Sequence, residues 1–159
     1  MDLNDLNFDD IVKEDAEKED ITLVEQFAKE RLTWTKKIKK MSNQLKHIKD
    51  VSELMIDVYT ERQQATEYYY YLMTVFSKIN KEYRKQWAKK YDFYSYQSQK
   101  RFPNEKSKEL HILFEIKDIV EKREAIDNHA KFILDTKGTI DNIIYGIKYR
   151  IDLEKLKSG

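Results

Sequence analysis

The sequence contains no cysteine, one proline and three glycines among its 159 residues. Without cysteine there are no disulfides, thiolate nucleophiles or cysteine-ligated zinc, and the composition fits a reducing compartment. No residue before Pro103 is a proline or a glycine, so the whole stretch up to that position lacks the usual chain breakers. Sheet and tight-turn folds are therefore disfavoured, and the composition predicts an all-α protein.

The sequence also lacks long hydrophobic runs and a signal peptide. No apolar run reaches the roughly 18 residues of a membrane span. The first twenty residues are acidic, whereas a secretory signal is basic and then apolar. At 159 residues the chain fits one domain, because domains of this size hide roughly 70% of their unfolded surface. We therefore expect a soluble, single-domain protein of the cytoplasm.

Signs of a catalytic or metal centre are missing as well. His47, His111 and His129 are not paired at the spacing of metal ligands, and no acidic cluster accompanies them. The sequence contains no glycine loop that would cradle a phosphate and no serine or threonine in a nucleophile elbow. We therefore predict a protein that binds other macromolecules and is not an enzyme, and we expect no cofactor and no metal.

Charge is unevenly distributed along the chain. Residues 1–20 hold nine acidic residues against Lys13 and Lys18, a net charge of −7. Because the whole chain has a net charge of +1, the remaining residues carry +8. We therefore divide the chain into an acidic, flexible arm over 1–20 and one all-helical domain over 21–159. Such an arm keeps the chain in solution, docks on a partner, or competes with nucleic acid for a basic face.

The amino-terminal half of the domain has the pattern of long helices. Thr22 and Glu25 form a capping-box pattern, in which each side chain accepts a hydrogen bond from a free backbone amide. Apolar residues then recur at alternating spacings of three and four, as on the packed face of a helix. Asp50 and Glu53 offer a second cap, where the helix can break. The pattern predicts a helical hairpin, whose turn we place no more closely than between residues 50 and 68.

The carboxyl-terminal half begins with the main loop and continues as a helix. The polar stretch from Tyr94 to Asn104 contains the only proline and predicts this loop, and Asn104 or Ser107 can cap the helix that follows. From Ile112 onwards, apolar residues, mostly isoleucine, recur at alternating spacings of four and three. Isoleucine at both seam positions favours assemblies of more than two strands. The pattern therefore predicts a coiled-coil-like helix that joins subunits of a homo-oligomer through Ile133, Ile140, Ile144, Ile147 and Ile151.

The first predicted helix contains a segment that is rich in cations and has no acidic residue. Residues 31–49 contain seven cations and no acidic residue. An ordinary solvated helix carries glutamates as i,i+4 partners of its lysines, so this composition favours an acidic polymer as the ligand. The alternative is a face that meets the acidic arm or an acidic helix of a neighbouring subunit. The cations are Arg31, Lys36, Lys37, Lys39, Lys40, Lys46 and Lys49.

Residues 78–108 combine cations with aromatic rings and provide the strongest functional signal. Cations neutralise phosphates, and rings stack on unpaired bases at about 1–3 kcal/mol each, which suits single strands of any sequence. The spacing of Tyr83 and Trp87 is helical and favours a place in the core. Four rings fall where the helix gives way to the loop and are expected to be exposed: Phe93, Tyr94, Tyr96 and Phe102. The predicted nucleic-acid-binding residues are Lys81, Arg84, Lys85, Lys89, Lys90, Tyr91, Phe93, Tyr94, Tyr96, Lys100 and Arg101.

Four consecutive tyrosines occupy positions 68–71. On a helix, four consecutive side chains point to every side, so some of these rings must face solvent or another molecule. We expect packing against adjacent subunits, with base stacking as the alternative.

Two short motifs resemble the UvsY recombination mediators of tailed phages. The carboxyl end, from Ile147-Lys148 through Ile151-Asp152 to Ser158-Gly159, is similar to the end of that family in residue type and spacing. Upstream, a second run is similar to the family's basic segment and the Asp-aromatic-aromatic-Ser sequence that follows it. Tyr96 stands where the family has glycine, and Ala88 where it has a basic residue. The run is Lys89-Lys90-Tyr91-Asp92-Phe93-Tyr94-Ser95, and the resemblance covers residues 78–159.

The resemblance implies a function in phage DNA recombination, repair and replication. Members of that family are all-helical, assemble into closed rings and bind single-stranded DNA. They help a RecA-like recombinase displace single-strand-binding protein and nucleate its filament, here in the cytoplasm of the host cell. The implied partners are therefore single-stranded DNA, the recombinase, single-strand-binding protein and further copies of the chain, without a membrane. The alternative is a non-enzymatic coiled-coil scaffold or assembly factor, whose lysines serve only to keep long helices in solution.

Overall fold

The computed structural model describes residues 22–46 and 51–158 of the chain. Within these ranges the structure contains helices and no β-strand, so the predicted all-α class is confirmed. The predicted arm over residues 1–20 lies outside the described residues. Helix α1 spans Leu23–Lys46, α2 spans Val51–Asp92, a π-helical turn spans Phe93–Gln97, α3 spans Glu105–Glu115 and α4 spans Lys117–Ser158.

Two of the predicted helix starts have the expected hydrogen bonds. The backbone N–H of Thr22 donates to Glu25 Oε2 at 3.0 Å, and the N–H of Glu25 donates to Thr22 Oγ1 at 3.3 Å. At the start of α3, the N–H of Ser107 donates to Asn104 Oδ1 at 2.8 Å. These side chains satisfy amides that the first turn of a helix leaves without a partner. The cap predicted at Asp50 lies outside the described residues.

Helices α1 and α2 form the predicted helical hairpin. Lys37 of α1 pairs with Glu61 of α2 at 2.7 Å, and Glu30 accepts a hydrogen bond from Tyr68, so the two helices run antiparallel. Helix α1 ends at Lys46 and α2 runs without a break from Val51 to Asp92, so no turn lies between residues 51 and 68. Residues 47–50, which connect the two helices in the sequence, lie outside the described part of the chain.

Helix α4 runs antiparallel to α2. Arg62 of α2 pairs with Asp141 at 2.5 Å, and the guanidinium of Arg123 lies 4.0 Å from the centre of the Tyr83 ring. Helix α2 extends past the start of α1, so its second half packs against the beginning of α4 and against α3. Among the described residues, α1, α2 and α4 therefore pack together as a bundle at one end, and α2, α3 and α4 pack together at the other end.

The core consists of buried side chains that recur every seven residues on each long helix. Each of them is at most 8% exposed. Burial of one such side chain of valine size or larger contributes about 1.5–3 kcal/mol. The stripes are Phe27, Trp34 and Met41 on α1, Val58, Ala65 and Leu72 on α2, and Ile126, Ile133, Ile140 and Ile147 on α4.

The isoleucines predicted to join subunits belong to this core. Ile133, Ile140 and Ile147 are fully buried, Ile144 is buried beside them, and Ile151 packs half-buried against the same cluster. The prediction is therefore corrected: these side chains join α4 to α1 and α2 of the same chain. Periodicity identifies a packed face but not its partner, because a helix of the same chain and a helix of another chain fill that face with the same contacts.

The predicted carboxyl-terminal helix is not continuous. Ile116, with φ −106° and ψ 22°, separates α3 from α4. Its N–H donates to the Ile112 carbonyl at 3.1 Å, and its own carbonyl accepts from Val120 at 3.2 Å, so backbone pairing continues across the break. Neither glycine nor proline marks the position. The break lets both isoleucines stay buried while α3 turns onto the end of α2.

Candidate nucleic-acid interface

The second half of α2 carries four exposed cations on one side. Lys81, Arg84, Lys85 and Lys89 have spacings of three, one and four, which place them on one helical face. The first and last are about 12 Å apart along the helix axis. Among the described residues, none of the four has an ion-pair partner. We call this surface the basic stripe, and it brings together the first four predicted binding residues.

The basic stripe leads into the π-helical turn. The N–H of Ser98 donates to the Phe93 carbonyl at 2.8 Å, the i to i+5 bond that closes this wide turn. The turn leaves Phe93 43% exposed and Tyr96 83% exposed. Both rings are therefore on the surface, as predicted. Tyr96 has most of its ring accessible, as stacking on an unpaired base requires.

Tyr94 and Phe102 are half-buried, although the sequence predicted both to be exposed. Their ring centroids lie 5.4 Å apart, and the His111 ring lies 5.1 Å from Tyr94 and 5.4 Å from Phe102. The Tyr94 hydroxyl also donates to Glu115 at 2.7 Å. This triangle of rings fastens the turn and the loop to α3. The prediction was wrong because it treated both rings as part of a free loop.

Two glutamates of α3 bind cations and a tyrosine of the segment 78–108. Lys90 pairs with Glu115 at 3.0 Å, and Lys108 pairs with Glu105 at 3.0 Å. The Tyr91 hydroxyl donates to Glu105 at 2.6 Å. Hydrogen bonds from the tyrosine hydroxyls, followed by the neighbouring lysines, hold the pKa of both carboxyls below the usual range. Lys90 and Tyr91 therefore attach α3 to α2, and their contacts with DNA would compete with these bonds.

The loop cations differ in how they are held. The Lys100 Nζ lies 5.3 Å from the centre of the Phe102 ring and 3.0 Å from His111 Nε2, so it packs along the loop. Arg101 is exposed. The predicted residues that are exposed are Lys81, Arg84, Lys85, Lys89, Phe93, Tyr96, Lys100 and Arg101, of which Lys100 also contacts the Phe102 and His111 rings.

Tyr83 and Trp87 pack within the molecule, as their helical spacing predicted. Both are half-buried. The Trp87 ring stacks on Tyr91 with centroids 4.8 Å apart, and Arg123 lies over Tyr83. Sequence reasoning missed Arg123 as a neighbour of this region, and it also missed the two glutamates of α3. Only the fold brings them to α2, so no local pattern in the sequence pointed to them.

Two cations of the basic segment of α1 contact other helices. Lys37 pairs with Glu61, and the guanidinium of Arg31 lies 5.7 Å from the centre of the Phe132 ring. Lys49 lies outside the described residues. The exposed cations of this segment are Lys36, Lys39, Lys40 and Lys46. The outer side of α1 is therefore a second basic surface, separate from the basic stripe.

His129, which showed no ligand pattern in the sequence, lies in a buried polar cluster. Arg31 Nε donates to His129 Nδ1 at 3.4 Å, so Nε2 carries the ring proton and donates to Glu30 at 2.8 Å. The Tyr68 hydroxyl donates to the same carboxylate. Burial alone would raise the pKa of Glu30, but the bonds from His129 and Tyr68 outweigh burial and leave that pKa below its usual value. The cluster ties α1 to α2 and α4.

Comparison of the chain with family models, with curated proteins and with solved structures finds no match. None of the helices described in the structure is both long enough and apolar enough to cross a membrane. Over the same residues, no group of three or more histidine, cysteine, aspartate or glutamate side chains could hold a metal ion. The candidate site is therefore defined by its own geometry, the basic stripe and the exposed rings of the turn.

Proposed function

We propose that this protein binds single-stranded DNA and acts as a recombination mediator, which helps to load a RecA-like recombinase onto strands coated by single-strand-binding protein. The observation that carries the proposal is the basic stripe that leads to the exposed Tyr96 ring. Unpaired cations in a row neutralise phosphates, and an accessible ring stacks on a base. Neither contact reads the base sequence, which suits a protein that must act on any exposed strand. The role requires no catalytic group and no cofactor.

The resemblance to the UvsY mediators supports the biological setting of the proposal. It covers residues 78–159, which include the basic stripe and the turn. The proposed setting is phage DNA recombination, repair and replication in the host cytoplasm, with the recombinase and single-strand-binding protein as partners. We further propose that the chain works as a homo-oligomeric ring. Several weak patches on one ring then gain avidity from one shared strand.

Fluorescence anisotropy with a labelled single-stranded oligonucleotide at several salt concentrations tests the DNA-binding step. The test variant carries Lys81→Ala, Lys85→Ala and Lys89→Ala. Because each phosphate contact contributes a slope of about 0.7 for single strands, loss of three contacts flattens the dependence of log K on log salt by about 2. Affinity falls for all base sequences alike.

The outer side of α1 provides a control with the same change of charge. Lys36→Ala, Lys39→Ala and Lys40→Ala also remove three exposed cations and leave the basic stripe intact. We expect this variant to keep most of the affinity and of the salt slope of the parent. If the α1 variant lost affinity and the stripe variant did not, the binding site would lie on α1. A parent protein that does not bind at low salt, or that binds independently of salt, would contradict the proposal.

A mediator assay tests the further step. The parent protein should shorten the lag in recombinase filament formation on DNA coated with single-strand-binding protein, and the stripe variant should not. If the parent binds DNA but does not shorten the lag, it binds single strands without loading the recombinase, and the mediator part of the proposal is wrong.

A helical scaffold is the second candidate, and the ion pairs of α3 favour it. Lys90 and Lys108 are neutralised within the chain, as expected where lysines serve structure instead of a ligand. A scaffold assembles without DNA, and its assembly is insensitive to changes in the basic stripe. Normal assembly combined with absent DNA binding would therefore decide for the scaffold.

A further inference from the structure

One side of the α2 and α4 pair is not covered by α1. On α4, the side turned towards α1 holds His129, whose ring lies 4.1 Å from Phe27, and Gly146, where a Cβ would lie 3.1 Å from Leu45 Cδ2. Helical rotation of about 100° per residue places Leu134 on the opposite side of α4. The pair therefore has one face inside the bundle and one face outside it.

Apolar side chains occupy this outer face along both helices. Leu134, Asp141 and Tyr145 follow at spacings of seven and four on α4, and Tyr149 is one turn further. On α2, Tyr59, Tyr70 and Met73 lie on the same side of the helix as Arg62, which pairs with Asp141 of α4. We call this surface the open face, and its apolar members are Tyr59, Tyr70 and Met73 of α2 with Leu134, Tyr145 and Tyr149 of α4.

An ion pair fixes the two helices beside each other at the middle of the open face. Arg62 of α2 pairs with Asp141 of α4 at 2.5 Å. Tyr59 lies one helical turn before Arg62 on α2, and Tyr145 lies one turn after Asp141 on α4, so on these antiparallel helices both rings lie on the same side of the ion pair. The rings of the two helices are therefore neighbours across the helix pair and form one continuous surface.

The open face is large for a surface in contact with water. Its six apolar side chains are between 36% and 68% exposed. With about 200 Å² for a fully exposed side chain of this size, they leave roughly 650 Å² accessible. The largest apolar patch of a typical monomer is about 300–600 Å², and a specific interface covers about 800 Å² on each partner. The six side chains with their polar rim thus supply the area of one side of a specific interface.

The charges of the open face indicate what can cover it. Lys137 lies 3.6 Å from Asp141, which also pairs with Arg62, so cations and an anion are interleaved there. The basic stripe and the outer side of α1 are of one sign, and two copies would repel each other at either surface. In a two-fold contact between identical copies the same patch meets itself, so a patch with interleaved charges avoids that repulsion.

We infer that the open face is the surface through which two copies of this chain associate. This contact belongs to the homo-oligomer of the proposed function and does not require DNA binding. Because a two-fold contact closes as a dimer, a ring would also need a second, different surface. The inference replaces the isoleucine seam, which is used inside one chain, with a surface that is free to make the contact. It also gives Tyr70, in the run of four tyrosines, the intersubunit role expected from the sequence.

Sedimentation velocity of the full-length protein over a range of concentrations tests the inference. The parent should sediment as a species larger than the 19.3 kDa monomer, in a concentration-dependent manner. Tyr70→Glu with Tyr145→Glu places two carboxylates on the open face. This variant should raise the dissociation constant of self-association at least tenfold, with an unchanged far-UV circular dichroism spectrum.

Tyr96→Glu is the control for a single added carboxylate and is compared with Tyr145→Glu alone, because both tyrosines are largely exposed and only Tyr145 lies on the open face. Tyr96→Glu should associate like the parent. If the double variant unfolds, Tyr145→Ala alone should still weaken association, since it removes a ring without adding charge. A monomeric parent, or a folded variant that associates like the parent, would overturn the inference. A parent protein that associates but does not bind DNA would instead contradict only the proposed function.

Discussion

The hydroxyl of Tyr94 donates a hydrogen bond of 2.7 Å to Glu115, which joins the π-helical turn to the end of α3. Two residues later, Tyr96 is 83% exposed. The two tyrosines are close in the sequence but differ in what they contact. Tyr94 holds α3 against α2, and Tyr96 leaves its ring open to a ligand. The structure therefore separates a positioning tyrosine from a candidate stacking tyrosine.

Substitution of these two tyrosines should have different effects. Tyr96→Ala should weaken binding of a single-stranded oligonucleotide by about 1–3 kcal/mol and leave the salt slope and the thermal midpoint unchanged, because a stacking ring is lost without a change of charge. Tyr94→Phe should lower the thermal midpoint and affect DNA binding little. Anisotropy titrations and thermal unfolding measure both effects. Equal loss of affinity in the two variants would contradict this division of roles.

Acid should weaken the buried cluster around Glu30. The bonds from His129 and Tyr68 hold the pKa of this carboxyl below its usual value of 4.5. A carboxyl with a lowered pKa stabilises the fold above its unfolded pKa, and this contribution is lost as pH falls through the folded pKa. The parent should therefore lose stability below about pH 4.5, and Glu30→Gln should lose less over the same interval.

Urea unfolding between pH 7 and pH 3 compares the two proteins. Glu124→Gln is the control, because it removes an exposed carboxyl on α4 outside the Glu30 cluster. The difference in stability between this variant and the parent should stay nearly constant between pH 5 and pH 3. A constant difference in stability between the parent and Glu30→Gln at all pH values would exclude a titrating role for this carboxyl.

Carboxylates in the isoleucine stripe should unfold the chain. Ile140 and Ile147 are fully buried within one chain, and an unpaired buried carboxylate costs several kcal/mol, whereas a whole domain is stable by about 5–15 kcal/mol. Ile140→Asp with Ile147→Asp should therefore lose helical circular dichroism at 25 °C. Leu156→Asp, at an exposed position near the end of α4, should not. A double variant that keeps its helices and only changes its oligomeric state would contradict the intrachain role.

Removal of residues 1–20 should preserve or strengthen DNA binding. The segment has a net charge of −7, and a tethered anion of that size competes with phosphates for nearby cations. The gain should be largest at low salt, because screening weakens the competition. A full-length variant with the nine acidic residues changed to asparagine and glutamine separates charge from length. Lost binding in the truncated protein, with its helices intact, would show that the segment belongs to the site.

Features that depend on neighbouring residues could be predicted from the sequence. The hydrogen bonds of Thr22, Glu25 and Asn104 follow from residues within one turn of each other, so the caps are visible in the chain itself. The same holds for the burial of Ile133 and Ile140, since a helix with one apolar stripe must cover that stripe. The fold class, the starts of α1 and α3 and the burial of the isoleucine stripe were therefore determined by the sequence alone.

Features that depend on which helices meet were decided by the tertiary structure. The partner of the isoleucine stripe is α1 and α2 of the same chain, although an identical pattern serves contacts between chains. Lys90 was predicted to bind phosphate, but the turn at Ile116 brings Glu115 within 3.0 Å of it. A local pattern records which side chains a helix offers and not which distant side chains reach them. The packing of the helices therefore decided which cations and rings are accessible to a ligand.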